Sequence, residues 1–256
     1  MGVSTSELRD FLNQKATQYN KSDFVATDPI QIPKQFTDPK EIEIAGFFAA
    51  TIAWGNRASI IKNAQNLMER MGHTPYDFVM HASEADLKVL KGFTHRTFNE
   101  IDARCFVYAL RNIYASHDSM ESLFTPTDEE RSLHHAISRF RKVFFSIPYP
   151  ERTSKHVSNP QKGSAAKRLH MFLRWMVRQD PNGVDFGIWK NISPSKLSCP
   201  LDVHSGNVAR KLGLLKRKQN DLKALIELDT QLRKLDPQDP VKYDFALFGL
   251  GVFEKF

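Results

Sequence analysis

Gly163-Ser164-Ala165-Ala166-Lys167-Arg168-Leu169-His170-Met171-Phe172-Leu173-Arg174-Trp175-Met176-Val177-Arg178 reads as a turn running into one amphipathic helix. Leu169, Phe172, Leu173 and Met176 recur at helical spacing and make an apolar face. Lys167, Met171, Arg174 and Arg178 fall on a second stripe, a basic rail with Lys167 at one end. The spacing predicts a helix over 164–179, stopped by the turn Asp180-Pro181-Asn182-Gly183. Downstream, Pro200-Leu201-Asp202-Val203-His204 places Asp202 as the N-cap of a helix that runs to about Leu212 and closes at Gly213. The two helix starts supply one amine and one carboxylate, thirty-five positions apart. A lysine at a helix N-terminus, among other cations and partly desolvated, can lose its proton near neutral pH and act as a nucleophile. A carboxylate at a helix N-terminus is held ionised by free amides and the helix dipole, so it can stabilise a developing cation or take a proton.

The rest of the chain is read as further helices. Asp38-Pro39-Lys40-Glu41 has an acidic N-cap, a proline at the first helical position and a glutamate at the third. It opens a buried helix through Ile44, Phe47, Phe48, Thr51 and Ile52, broken at Trp54-Gly55-Asn56-Arg57. Further helices are predicted over 58–71 and 99–116. Another is predicted over 130–146, introduced by Thr125-Pro126-Thr127-Asp128, with Phe140, Phe144 and Phe145 inward and Arg139, Arg141 and Lys142 toward solvent. Tyr149 to Lys162 reads as loop and Val184 to Cys199 as irregular connection. Helices over 221–235 and 241–251 finish the chain. No run alternates as a strand would, so the expected fold is all-α. The expected blocks are an N-terminal helix and loop (1–36), a first lobe (37–146), the Lys167 and Asp202 region (147–213) and C-terminal helices (214–256).

Composition narrows the classes. Net charge is +7. From Arg131 to Arg178 there are eleven Lys or Arg against one acid, Glu151, so positive charge is concentrated around Lys167 and suits a phosphate backbone. No stretch approaches the ~20 apolar residues of a membrane span, and Met1 to Asn20 carries no export pattern. Two isolated cysteines, Cys105 and Cys199, form no metal cluster and suit a reducing cytoplasm. Phosphate-loop, dinucleotide and nucleophile-elbow motifs are missing, and the histidines lack metal-ligand spacing. No cofactor is expected, and the chemistry falls to side chains.

Pro200-Leu201-Asp202-Val203-His204, followed by Val208-Ala209-Arg210-Lys211-Leu212-Gly213, resembles the aspartate-bearing helix of the helix-hairpin-helix DNA glycosylase superfamily. Gly163-Ser164-Ala165-Ala166-Lys167 resembles that family's Gly-x-Gly-x-Lys hairpin, with Ala165 at the second glycine. The stretches 166–178 and 236–247 resemble a bacterial family regarded as a remote branch of the same superfamily. The resemblance implies a two-lobed helical fold with a central cleft, and a glycosylase with lyase activity. In that role Lys167 attacks C1′ of a flipped nucleotide, assisted by Asp202, and an oxidised purine such as 8-oxoguanine is the first substrate to try. Lys162, Gly163, Ser164, Arg168, Arg174, Arg178, His204 and Arg210 are the implied nucleic-acid contacts. Trp54 and Trp175 either stack on bases or belong to the core; Phe186, Trp189 and Phe253 are further aromatic candidates for a base pocket. DNA is the expected partner of a monomeric protein. Two other readings stay open: the same fold binding DNA or RNA without catalysis, and a small-molecule enzyme or interaction protein whose basic block meets an acidic partner.

Overall fold

The structure, a computed structural model, describes residues 4–256. Its helices in chain order are α1 (Thr5–Tyr19), α2 (Ser22–Val25), α3 (Pro39–Thr51), α4 (Arg57–Arg70), α5 (Pro75–His81), α6 (Glu100–Tyr114), α7 (Glu121–Phe124), α8 (His134–Phe144), α9 (Lys167–Val177), α10 (Val203–Lys211), α11 (Leu222–Leu235) and α12 (Tyr243–Val252). Strand among the described residues is limited to Thr94–His95 paired antiparallel with Phe98–Asn99. Two-residue strands are too short to alternate, which is why the sequence shows none. The protein is all-α, as expected. The export reading over Met1 to Asn20 includes Met1 to Val3, which lie outside the described residues.

The described residues divide into two compact units, residues 25–125 with 136–158, and residues 4–24 with 126–135 and 159–256. In the first of these, the Asp38 carboxylate accepts from Lys40 N at 2.8 Å and Glu41 N at 3.4 Å, and Pro39 starts α3. Ile44, Phe47, Phe48, Thr51 and Ile52 are buried, as the pattern requires. Phe106 of α6 stacks on Phe47 at 5.6 Å and meets Phe144 of α8 edge-on at 4.8 Å. Buried Glu43 accepts from Tyr114 Oη (2.6 Å), Ser119 Oγ (2.5 Å) and Met120 N (2.9 Å), so its charge is satisfied internally. Buried Asp102 likewise takes Arg152 Nη1 and Thr153 Oγ1, each at 2.7 Å.

Two local expectations are corrected. The helix predicted from residue 130 begins at His134, because Glu130 turns back to accept from Thr127 N at 2.9 Å and closes a separate turn. Arg141 does not point to solvent: it donates to the carbonyls of Ser154 (2.8 Å) and Val157 and lies over the half-buried Phe145 ring.

In the other unit, Leu12 and Ala16 of α1 share a core with Leu201, Val208, Leu225, Leu228, Leu232 and Leu247. α1 packs on α12 where Gly249 lets the Tyr19 ring lie against the helix backbone; a Cβ there would overlap the ring. The Tyr19 hydroxyl and Lys15 Nζ (2.6 Å) both bind Glu254. α1 thus packs with the C-terminal helices.

Candidate functional site

Lys167 is the first residue of α9. The helix starts three residues later than the pattern predicts because Ala166 is left-handed, φ 46° and ψ 40°, and interrupts it. A left-handed alanine is strained by roughly 1–2 kcal/mol. The preceding turn is fixed by Gly163 at φ 83°, by Ala166 N donating to Ser164 Oγ at 3.1 Å, and by Leu222 N donating to Gly163 O at 2.9 Å. No side chain caps α9. Lys167 is half-buried; its Nζ lies 3.6 Å from the weak acceptor Met171 Sδ and forms no ion pair among the described residues.

Asp202 caps α10 as expected. Its Oδ1 accepts from Ser205 N at 3.0 Å, while its own N–H donates to Ser205 Oγ at 2.9 Å. Oδ2 takes no hydrogen bond among the described residues. The Asp202 carbonyl accepts from Asn220 Nδ2 at 2.7 Å, and Asn220 Oδ1 accepts from Arg210 Nη2 at 2.6 Å. Arg210 also donates to Arg217 O, so it supports the Asp202 loop instead of presenting a free cation. Gly206 leaves room for these side chains, as a Cβ would come within 2.8 Å of Asn220 Oδ1 and displace it.

A third acidic group lies within electrostatic range of both helix starts. Asp244, buried on α12, receives Arg174 Nη1 on Oδ2 and the Cys199 thiol on Oδ1 at 3.6 Å. Its pKa is pushed up to about 6, chiefly by burial; Arg174 opposes the rise, Asp202 adds to it and Lys167 lowers it. Lys167 and Asp202 thus both act on one carboxylate. Asp229 stands behind: its Oδ1 accepts from Cys199 N at 3.1 Å, and burial, opposed by Arg233, raises it to about 6. Sequence reasoning passed over Asp244, although a lone acid in the apolar run Val241 to Gly251 signals a buried polar role.

The basic rail is corrected. Arg174 and Arg178 are only 3% and 6% exposed. Arg174 Nε donates to Asp185 Oδ1 at 3.1 Å, and Arg178 donates to Asp239 Oδ2 at 2.9 Å and Asp185 Oδ2 at 3.2 Å. Both guanidinium groups lie over Phe245, at 4.4 and 5.5 Å. Acids from distant segments neutralise them, which charge counting along the chain cannot show. Lys162, Gly163 and His204 are exposed, and Ser164 and Arg168 half-buried. Trp175 and Trp189 are core residues, the latter edge-on to Phe172 at 5.4 Å. Half-buried Phe186 runs beside α9, its N–H on Trp175 O at 2.9 Å, and exposed Phe253 stacks on Tyr19. Trp54 lies in the other unit, stacked on His156 and edge-on to His95.

Fold and site define an all-helical protein in which a lysine with no ion pair among the described residues and two carboxylates each stand at the start or in the first turn of a helix. The chain belongs to the family described as protein of unknown function (DUF2400), whose model matches residues 28–253. No curated protein and no solved structure matches it.

Proposed function

We propose that this protein is a DNA glycosylase with lyase activity, of the helix-hairpin-helix kind, acting on a damaged base, with an oxidised purine the first to test. The observation that carries the reading is that Lys167, first residue of an uncapped helix, forms no ion pair among the described residues, while Asp202, cap of another helix, keeps Oδ2 without a hydrogen bond among them. A lysine without an ion pair is free to turn to a substrate. In the reaction the Nζ lone pair bonds to C1′ as the bond to the base breaks. The base leaves with that electron pair and takes up the proton Nζ sheds. Ring opening, with O4′ protonated by solvent, leaves a cationic C=N link; a C2′ proton is then lost to solvent, its C–H electrons form the C2′=C3′ bond, and the 3′ phosphate leaves with the C3′–O electron pair. The free Oδ2 of Asp202 is suited to stabilising the cationic sugar. Exposed Lys162, Gly163 and His204, with Ser164 and Arg168, are the remaining candidates for phosphate contacts.

The test is borohydride trapping on duplexes that each carry one lesion or one abasic site. The reading requires a covalent adduct with the parent and none with Lys167→Ala; an adduct that persists in Lys167→Ala removes it. A second reading, nucleic-acid binding without catalysis, is favoured by the turn before Lys167: Gly163 is directly preceded by a 3-10 turn, Pro160–Lys162, and not by an α-helix. Salt-dependent binding without product, unchanged in Asp202→Asn, supports that alternative.

A further inference from the structure

Arg141, Phe145 and Tyr149 form a stack that ends in water. The Arg141 guanidinium is held by the carbonyls of Ser154, at 2.8 Å, and Val157, and it lies 4.7 Å from the centre of the Phe145 ring. The Phe145 ring lies 4.5 Å from that of Tyr149, centre to centre, at a tilt of 45°. Tyr149 is the outermost member. It is 40% exposed, stands between exposed Pro148 and Pro150, and its hydroxyl makes no hydrogen bond among the described residues. All of these residues belong to the unit that contains α8 and neither Lys167 nor Asp202. A ring already fixed against a second ring and an anchored cation loses little freedom when a flat ligand settles on it.

The charge beside the stack narrows the ligand. Phe145 N donates to Arg141 O at 3.1 Å, so the helical path of α8 continues to Phe145 and brings Lys142 alongside it. Lys155 follows Ser154, one of the two residues that hold Arg141. Lys142 and Lys155 are exposed and form no ion pair among the described residues, unlike Arg152, which is engaged with Asp102 at 2.7 Å. Glu151 is the one acid from Arg131 to Arg178. An exposed ring with unpaired cations beside its stack matches a base with its phosphates. A duplex keeps its bases paired and stacked, so the face of Tyr149 selects a single strand.

We propose that Tyr149, backed by Phe145 and Arg141, is a stacking platform for one base of a single-stranded nucleic acid, with Lys142 and Lys155 meeting its phosphates. This goes beyond the glycosylase reading and does not rest on it, because an unmodified strand offers Lys167 nothing to attack. A protein that traps nothing on abasic-site duplex can still bind here, and one that traps can still fail here.

The experiment is fluorescence anisotropy of the full chain with a short labelled oligothymidylate, the matching oligouridylate and the corresponding DNA duplex, none carrying a lesion. The parent is expected to prefer a single strand to the duplex; a stronger hold on oligouridylate than on oligothymidylate identifies the strand as RNA, and the reverse as DNA. Tyr149→Ala is expected to weaken strand binding about tenfold while Tyr149→Trp keeps it, with the thermal melts of both variants close to the parent's. Lys142→Ala with Lys155→Ala lowers the slope of log affinity against log salt by roughly 1.4, and Glu151→Gln tightens binding. Because a chain of charge +7 attracts polyanions at many places, the Tyr149 variants locate the contact. Ultraviolet crosslinking of a bromouracil strand is expected to mark Tyr149. A Tyr149→Ala variant that binds the strand as the parent does overturns the proposal. So does a parent that prefers the duplex, or binds no strand at low salt.

Discussion

Arg174 of α9 and Asp244 of α12 meet in the interior, Nη1 to Oδ2, at 3% and 6% exposure. The pair joins the helix that begins with Lys167 to the helix that closes the chain. Removing one partner of a buried pair strands the other charge, at a cost of roughly 3–5 kcal/mol. Arg174→Ala is therefore expected to lose that much in denaturant unfolding. Arg174→Lys is expected to recover only part, because a single ammonium cannot reach Asp185 and Asp244 as the forked guanidinium does. A loss under about 1 kcal/mol in Arg174→Ala would show that solvent reaches Asp244.

Ala166 precedes Lys167 in the left-handed region. Ala166→Gly relieves that strain and gains about 0.5 kcal/mol net, since glycine also frees the unfolded chain. Ala166→Val, branched at Cβ, costs more than 1 kcal/mol. Thermal melts of the two variants should move in opposite directions.

Gly249 admits the Tyr19 ring against α12. Gly249→Ala is expected to destabilise by about 1–3 kcal/mol through overpacking and to speed hydrogen exchange in α1. Gly249→Ala with Tyr19→Leu should recover part of the loss, as the smaller side chain makes room.

His170 of α9 is 1% exposed, and neither ring nitrogen has a partner among the described residues; the His134 ring lies edge-on at 5.7 Å. Burial, with His134 and Arg233 adding to it, lowers His170 to about 3, and burial, with Arg233 and His135, lowers His134 to about 4. An unfolded histidine takes up its proton near 6.5 while the folded one does not. Stability from this pair is whole above about pH 6.5 and is lost as pH falls toward 4 and 3. His170→Leu is expected to remove on the order of 2 kcal/mol of the loss between pH 6.5 and 5, read from unfolding at the two pH values. An unchanged acid slope would show that His170 gains a proton while folded.

Helix placement was legible because caps and periodicity are local. Asp38, Asp202 and Asp221 each cap the helix their position announces. Lys167 and Asp202 could be named because each opens a helix. Asp244 was missed and the role of Arg174 misread for one physical reason. Whether a charge faces solvent or a distant acid depends on packing among α9, α12 and the 180–199 connection, and spacing along one helix carries no record of that. The start of α9 was misplaced because nothing in the residue name Ala166 declares a left-handed backbone.

Peptide mass mapping after borohydride reduction identifies the nitrogen that holds the sugar. With the parent protein and abasic-site duplex, one modified peptide is expected, carrying the reduced deoxyribose remnant on Lys167. The remnant on any other lysine, with Lys167 unmodified, contradicts it.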